Sequence, residues 1–263
     1  MIKFMSLSSG SCGNCYFLGN GEHALVIDAG VSLRRMKVLL GAEGLSYDSF
    51  SSVLLTHDHM DHVRSLDSYC RKLGKPVYAT EYLFRAMATW TYPSENVARC
   101  RRDLSEGWNE VDGFRVKWFQ VPHDASQTVG YAIYSDDHKF LIMTDIGHMT
   151  EEALDLARQA DTVVVESNYD VDMLMGGTYT HELKMRICKG SGHLSNDQCA
   201  DAIKAFWHEG LRNIFLCHLS ENNNTPELAY ASALAALDEL GVERGSVNLR
   251  ALPRRSPSPL MTL

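Results

Sequence analysis

The stretch VLLTHDHMDH, residues 53–62, places three histidines and two aspartates in six consecutive positions directly behind an apolar run. A strand that leaves the core on such a cluster must find partners for it, because polar groups taken out of water unpaired are costly. His57 and His59 alternate, so extended backbone sends both imidazoles to one side, and Asp61 and His62 follow at once. Imidazole and carboxylate together are the donor set of a borderline divalent metal ion. Asp58 and Met60 fit a solvated turn instead.

A site made of residues 57–62 alone would be open on most sides, so further donors are expected at other strand ends. Three apolar runs supply them: FQVPHD ends near His123, LIMTD on Asp145 and IFLCH on His218. Of the eleven histidines, His23 and His138 fall in hairpin turns and His208 near a helix end, as surface residues do, while His148 and His181 stay unassigned.

The rest of the chain supplies a scaffold. YFL, then Asn20-Gly21, then ALVI reads as a hairpin whose Asn-Gly provides the positive φ of a tight primed turn. Helical patterns over 33–40 and 62–73, the latter stopped by Gly74, alternate with strands at 53–56 and 76–79. Three neighbouring strands without helices follow at 114–121, 129–134 and 140–143. Alternation then returns: helix 151–159, strand 162–165, helices 183–189 and 196–207, strand 214–217, helix 226–240. No linker divides these parts, so one α/β (α+β) domain is expected over 1–252, with two mixed sheets face to face and helices outside. The end of the chain, RRSPSPLMTL, reads as part of a disordered tail over 253–263.

Composition narrows the class. Hydrophobic residues make up 45% of the 263 and charged residues 22%, which excludes a largely disordered chain. No apolar stretch at the start is long enough for a signal peptide and none elsewhere for a bilayer span, so a cytoplasmic protein without a membrane partner is expected. Seven scattered cysteines agree with that compartment. The CxxC of Cys12 and Cys15 lacks the second pair of a zinc ribbon and the helix start of a redox dithiol, and Cys70, Cys188, Cys199 and Cys217 read as core. A net charge of −8 counts against a broad nucleic-acid-binding surface and leaves only local basic groups such as Lys184, Arg186 and Lys189.

The set His57, His59, Asp61, His62, His123, Asp145 and His218, with Asp28 ahead of it, closely resembles the metallo-β-lactamase-fold hydrolases, whose HxHxDH is followed by His, Asp and His at later strand ends. The resemblance covers nearly the whole chain and implies a four-layer αββα sandwich with a two-metal site at one edge. By that likeness His57, His59 and His123 would hold one divalent ion, and Asp61, His62 and His218 the second. Asp145 would bridge them, since two cations about 3.5 to 4 Å apart need a shared carboxylate and a shared hydroxide to screen their repulsion. Asp28 would orient a ligand histidine from behind. Such donors suit zinc first, and manganese or iron as well.

Narrower stretches, SSGSCGN, THDHMDH, TDIG, GHLSN and CHLSENNN, together resemble the stand-alone YycJ/WalJ-type branch, regarded as exonuclease-like. This implies a phosphodiesterase or nuclease acting on DNA or RNA through a metal-bridged hydroxide, formed from water whose pKa falls toward about 7. Asp61 would orient that water. His193, beside a helix start capped by Ser195, would stabilise charge on phosphate oxygens and assist the leaving group, with Glu166 holding its tautomer and Asn14 offering amide donors at the same edge. Thioesterases of the glyoxalase type share all seven ligands, so an acyl or thioester hydrolase stays as an alternative, as does a non-catalytic regulatory relative. The sequence leaves oligomeric state open.

Overall fold

Strand β-propensity reflects packing on a pleated surface, and strands covered on both faces read as continuous apolar runs. TVVVE, NIFLC and ALVI are such runs, buried at every position. A computed structural model of the chain describes residues 1–91, 93–135 and 138–263. The first part comprises β1 (Lys3–Ser8), β2 (Cys15–Gly19), β3 (Ala24–Ile27), α1 (Leu33–Ala42), β4 (Ser52–Leu54), α2 (Met60–Val63), α3 (Leu66–Leu73) and β5 (Val77–Thr80). Then come α4 (Glu81–Ala86), α5 (Glu95–Cys100), β6 (Arg101–Leu104), β7 (Trp108–Val111), β8 (Phe114–Gln120), β9 (Val129–Ser135), β10 (His138–Met143) and α6 (Glu151–Ala157). The last part holds β11 (Thr162–Glu166), α7 (Val171–Gly176), α8 (His181–Cys188), α9 (Asn196–Phe206), β12 (Asn213–Cys217), α10 (Pro226–Glu239), β13 (Asn248–Ala251) and β14 (Met261–Thr262).

The strands form two mixed sheets, ordered β14-β1-β2-β3-β4-β5-β6 and β13-β12-β11-β10-β9-β8-β7. Between them lies one apolar layer, in which the Phe4 ring sits 5.3 Å from both Phe140 and Phe215. A second layer packs α1, α3, α4 and α5 on the first sheet, and a third packs α6, α9 and α10 on the other. This is the expected αββα sandwich. Strands β3 to β6 run parallel, as do β10 to β13, and β8 returns to the direction of β10 because β9 is antiparallel to both. The carboxyl ends of β3 and β4 in one sheet, and of β8, β10, β11 and β12 in the other, therefore open onto one edge, which is where α/β sheets bind ligands.

Local differences from the sequence expectations have identifiable causes. The tail 253–263 is ordered, not disordered. Ser258 donates its backbone N–H to the Ser6 carbonyl at 2.8 Å, and β14 adds an antiparallel edge strand to β1. Its prolines read as a linker by composition, but an open sheet edge is a ready template for another strand. The hairpin between β2 and β3 closes through four residues: only Gly21 takes a positive φ, while the Asn20 side chain accepts from the amides of Glu22 and His23. The helix expected over 62–73 divides into α2 and α3, and Ser65 N–H donates to the Ala29 carbonyl at 3.1 Å at the break. Asp58 is buried, its carboxylate accepting from Ser126 Oγ at 2.6 Å, so it ties the first histidine loop to the loop after β8. His138 opens β10 half-buried and Cys188 is half-exposed on α8. The turn expected before 140–143 falls partly on residues 136 and 137, outside those described.

Three loops lock together at the open edge. Asn14 N–H donates to the Asp61 carbonyl at 2.8 Å, Gly30 N–H to the Asn14 carbonyl at 2.9 Å, and Ala29 N–H to the His62 carbonyl at 2.7 Å. Gly30 is required by this approach, since a Cβ there would stand 1.8 Å from the Asp61 carbonyl oxygen. Gly30→Ala should therefore cost about 1–3 kcal/mol or more by overpacking, read as a fall in Tm; an unchanged Tm would show that the loops have slack. Deleting residues 258–263 should cost about 2–4 kcal/mol in lost apolar burial and hydrogen bonds and speed amide exchange along β1. Exchange at wild-type rates would mean that the tail contributes nothing to that edge.

Candidate metal centre

The first histidine loop leaves β4 and is pinned from behind. Asp28, in the left-handed region at φ 64, accepts Thr56 N–H at 2.9 Å and the Thr56 hydroxyl at 2.9 Å. Thr56 Oγ1 in turn lies 3.0 Å from His57 Nδ1, and Asp28 Oδ2 lies 2.7 Å from His62 Nδ1. One buried carboxylate therefore orients two imidazoles, as a residue behind the ligands does in metal sites. Asp tolerates the left-handed conformation better than most residues, which offsets part of its strain.

The remaining histidines are held in the same manner. His123 directs Nδ1 to the Gly192 carbonyl at 2.8 Å, His59 directs Nε2 to the Asp124 carbonyl at 3.3 Å, and His218 directs Nδ1 to Glu166 Oε1 at 2.8 Å. Each of the five imidazoles thus has its outer nitrogen within hydrogen-bond distance of an oxygen, and its inner nitrogen faces the others. His59 Nδ1 and His123 Nε2 are 3.2 Å apart. Asp145 stands among them, 3.2 Å from His62 Nε2, 3.7 Å from His123 Nε2 and 3.2 Å from His218 Nδ1. Asp61 lies 3.6 Å from His62 Nε2 and 3.5 Å from His218 Nε2, steadied by the Asn14 amide at 3.1 Å.

These groups fit a pair of divalent cations. Donor atoms of His57, His59 and His123 lie within 4.8 Å of one another, as do those of Asp61, His62 and His218, and a third triad of His57, His62 and Asp145 links the two. Among the described residues, the buried atoms His57 Nε2 and His218 Nε2 have no hydrogen-bond partner, and Asp145 Oδ2 has only His62 Nε2 within 3.2 Å, a condition that calls for an ion or a water at the site. Charge points the same way. Burial and the neighbouring imidazoles hold His57 well below the usual histidine range, and burial holds His123 below it, so both are neutral. Burial opposes charge on His62 and His218, yet Asp28 and Asp145 raise the first and Asp145, Asp61 and Glu166 the second. The carboxylates demand positive charge, which protons or cations can supply at the same nitrogens.

The cluster opens into a cavity of about 240 Å³. Glu166, wholly buried, accepts the amides of Ile146 and Leu194 through Oε2 at 3.0 and 3.1 Å, and through Oε1 receives His193 Nδ1 at 2.7 Å as well as His218. Burial opposes charge on both partners, but the pairing lowers the Glu166 carboxyl and raises His193. The fold thus brings His57, His59, Asp61, His62, His123, Asp145, His218, Asp28, Asn14, Glu166 and His193 together. Ser195 stands apart: its hydroxyl accepts Gln198 N–H at 3.1 Å as the cap of α9 and does not line the cavity. Lys184 donates to the carbonyls of Met175 and Gly177, whereas Arg186 reaches Asp124 at the cavity rim. The sequence reasoning missed Thr56 and Asn168, the latter donating to the His218 carbonyl at 2.8 Å, although both lie inside stretches with a donor at a strand end. No helix among the described residues is long and apolar enough to cross a membrane.

The β-lactamase superfamily domain matches this chain over residues 23–218. The chain is 32% identical over 244 residues to exodeoxyribonuclease WalJ of Streptococcus pneumoniae, covering 92% of this chain and 91% of that protein. It is 34% identical over 242 residues to exodeoxyribonuclease YycJ of Bacillus anthracis, covering 91% and 90%. The metallo-β-lactamase fold protein YhfI from Bacillus subtilis superposes with a TM-score of 0.70 over 98% of both chains at 14% identity, a likeness of fold alone. With the domain matched across most of its length and two relatives above 30% identity, the chain belongs to the β-lactamase superfamily, in its metallo-β-lactamase-fold form.

Proposed function

We propose that this chain is a cytoplasmic, metal-dependent phosphodiesterase that removes nucleotides from DNA ends. The observation that carries this reading is the Glu166–His193 pair at 2.7 Å, placed where the carboxylate and imidazole cluster meets the cavity. Likeness over nine-tenths of the chain to two exodeoxyribonucleases supports the substrate class.

In this reading His57 Nε2, His59 Nδ1 and His123 Nε2 would hold one divalent cation, and Asp61, His62 Nε2 and His218 Nε2 the other, with Asp145 common to both. Zinc is the first candidate, ahead of manganese and iron. Such a pair, when bound, acidifies water and neutralises charge on phosphate oxygens. Asp61, partly open to the cavity and fixed by Asn14, accepts a hydrogen bond from the attacking water and aims it. Burial opposes charge on His193, but pairing with Glu166 raises its pKa and favours the charged form, so that Nε2–H would donate to a phosphate oxygen and then to the leaving oxygen. Because Glu166 also carries His218, it sets the proton donor in register with the site. The acidic chain needs little added positive charge for this task, since cations and His193 concentrate it at the site.

His193→Ala should lower cleavage of end-labelled DNA by about 10²–10³-fold with the metal content by elemental analysis unchanged; a variant as active as wild type removes this role for His193. Stripping the ions with a chelator should lower Tm by about 10 °C relative to protein held at a thousandfold excess over Kd, reversibly on adding zinc or manganese. A Tm indifferent to the ions would refute the metal centre. Turnover of thioesters with no cleavage of DNA or RNA would overturn the phosphodiesterase assignment in favour of the acyl-hydrolase alternative.

A further inference from the structure

Helix α8 has no buried residue, so core packing does not explain its position. It is held by its ends. Thr180 caps its start, and His193 N–H donates to the Ile187 carbonyl at 3.0 Å. Gly192 packs against the same carbonyl so closely that a Cβ there would stand 2.0 Å from it. The loop carrying His193, and the Gly192 carbonyl that orients His123, are thereby attached to the end of this helix. Leu183 and Ile187, four residues apart and so on one helix face, line the cavity together with Tyr179, whose hydroxyl accepts from the Asn222 amide at 3.0 Å. Arg186 stands at the rim, paired with Asp124. The cavity lining therefore has two unlike parts: imidazoles and carboxylates from the strand ends, and a second wall of an aromatic ring, two aliphatic side chains and a guanidinium from α8 and the segment ahead of it.

We propose that this second wall receives the terminal nucleotide of a single DNA strand, with Tyr179 stacking on its base, Leu183 and Ile187 covering the sugar, and Arg186 exchanging Asp124 for the neighbouring phosphate. The inference rests on the phosphodiesterase reading above and adds the residues that choose the substrate. A nucleotide is the ligand whose parts match both walls: an anionic phosphodiester for the cluster and a flat base for the ring. Tyr179, Leu183 and Ile187 line the same cavity as Asp61, Asp145, His193 and His218, so one nucleotide unit would meet both sets of groups. Stacking on an aromatic ring tolerates every base, so the wall reads an unpaired end without reading its sequence.

The test measures binding by anisotropy, using metal-loaded protein and single-stranded oligonucleotides that carry a dye at the far end and an uncleavable phosphorothioate at the terminal linkage. Removing the terminal base should weaken binding about tenfold. Tyr179→Ala should weaken binding of the native end to the same degree and abolish the difference between native and abasic ends, while Tyr179→Phe retains it. Arg186→Ala should weaken both ends alike and reduce the salt slope by about 1. An abasic penalty that survives in Tyr179→Ala, or no penalty in the wild type, overturns the base-receiving wall even if the strand is cleaved. A Tyr179-dependent penalty with no cleavage of unmodified strands under zinc, manganese or iron leaves the wall standing and overturns the nuclease reading instead. Failure to bind either oligonucleotide overturns both.

Discussion

Four carboxylates facing five imidazoles at the open edge of two sheets are the interaction on which the structure turns. Asp28, Asp61, Asp145 and Glu166 are all buried or partly so, and each points at a histidine nitrogen. Burying a charge without a partner is among the most expensive events in folding. The fold therefore commits the outer nitrogen of each histidine to a fixed acceptor and concentrates the unmet demand on a few inner atoms. Those orphaned atoms, rather than any single bond, describe what the site must bind.

Such a concentration requires a rigid surround. Backbone hydrogen bonds join the loops of residues 10–14, 28–30 and 57–62 into one unit, and glycine at position 30 lets them approach so closely. Both Asp28 and His218 sit at strand ends with positive φ, 64° and 51°. Each such residue costs about 1–3 kcal/mol and persists only where its surroundings over-determine it. Here the Thr56 amide and hydroxyl hold Asp28, while Ser9 and Asn168 hold the backbone of His218 on either side. Strain is thus stored where donor directions have to be exact to within a fraction of an ångström.

Glu166 gives the site its coherence. It receives four donors, two from backbone and two from histidines of different segments. Fully satisfied buried networks rigidify and specify one arrangement, whereas half-satisfied ones do not. Through this carboxylate the histidine at the end of β12 and the histidine ahead of α9 share a reference point, and the latter's loop is also the anchor of α8. Chemistry and the wall facing it are consequently built on one connected piece of chain.

The sequence alone determined which side chains could take part. An apolar run that stops on His or Asp is a local pattern, and it marked residues 57–62, His123, Asp145 and His218 as well as the alternation of strands and helices around them. Asn14, Glu166 and His193 came from family resemblance and short motifs, and they too lie at the site. Tertiary structure decided the rest, because it depends on contacts between segments far apart in the chain. Which nitrogen of each histidine faces inward is set by acceptors such as the Gly192 and Asp124 carbonyls, which carry no side-chain signal. That Glu166 serves two histidines, that Ser195 only caps its helix, and that Asp58 is buried all follow from packing and not from spacing. The tail is the clearest case: Pro and Ser are poor strand formers when considered alone, but the open edge of β1, made at the other end of the chain, supplies the hydrogen bonds that turn those residues into structure.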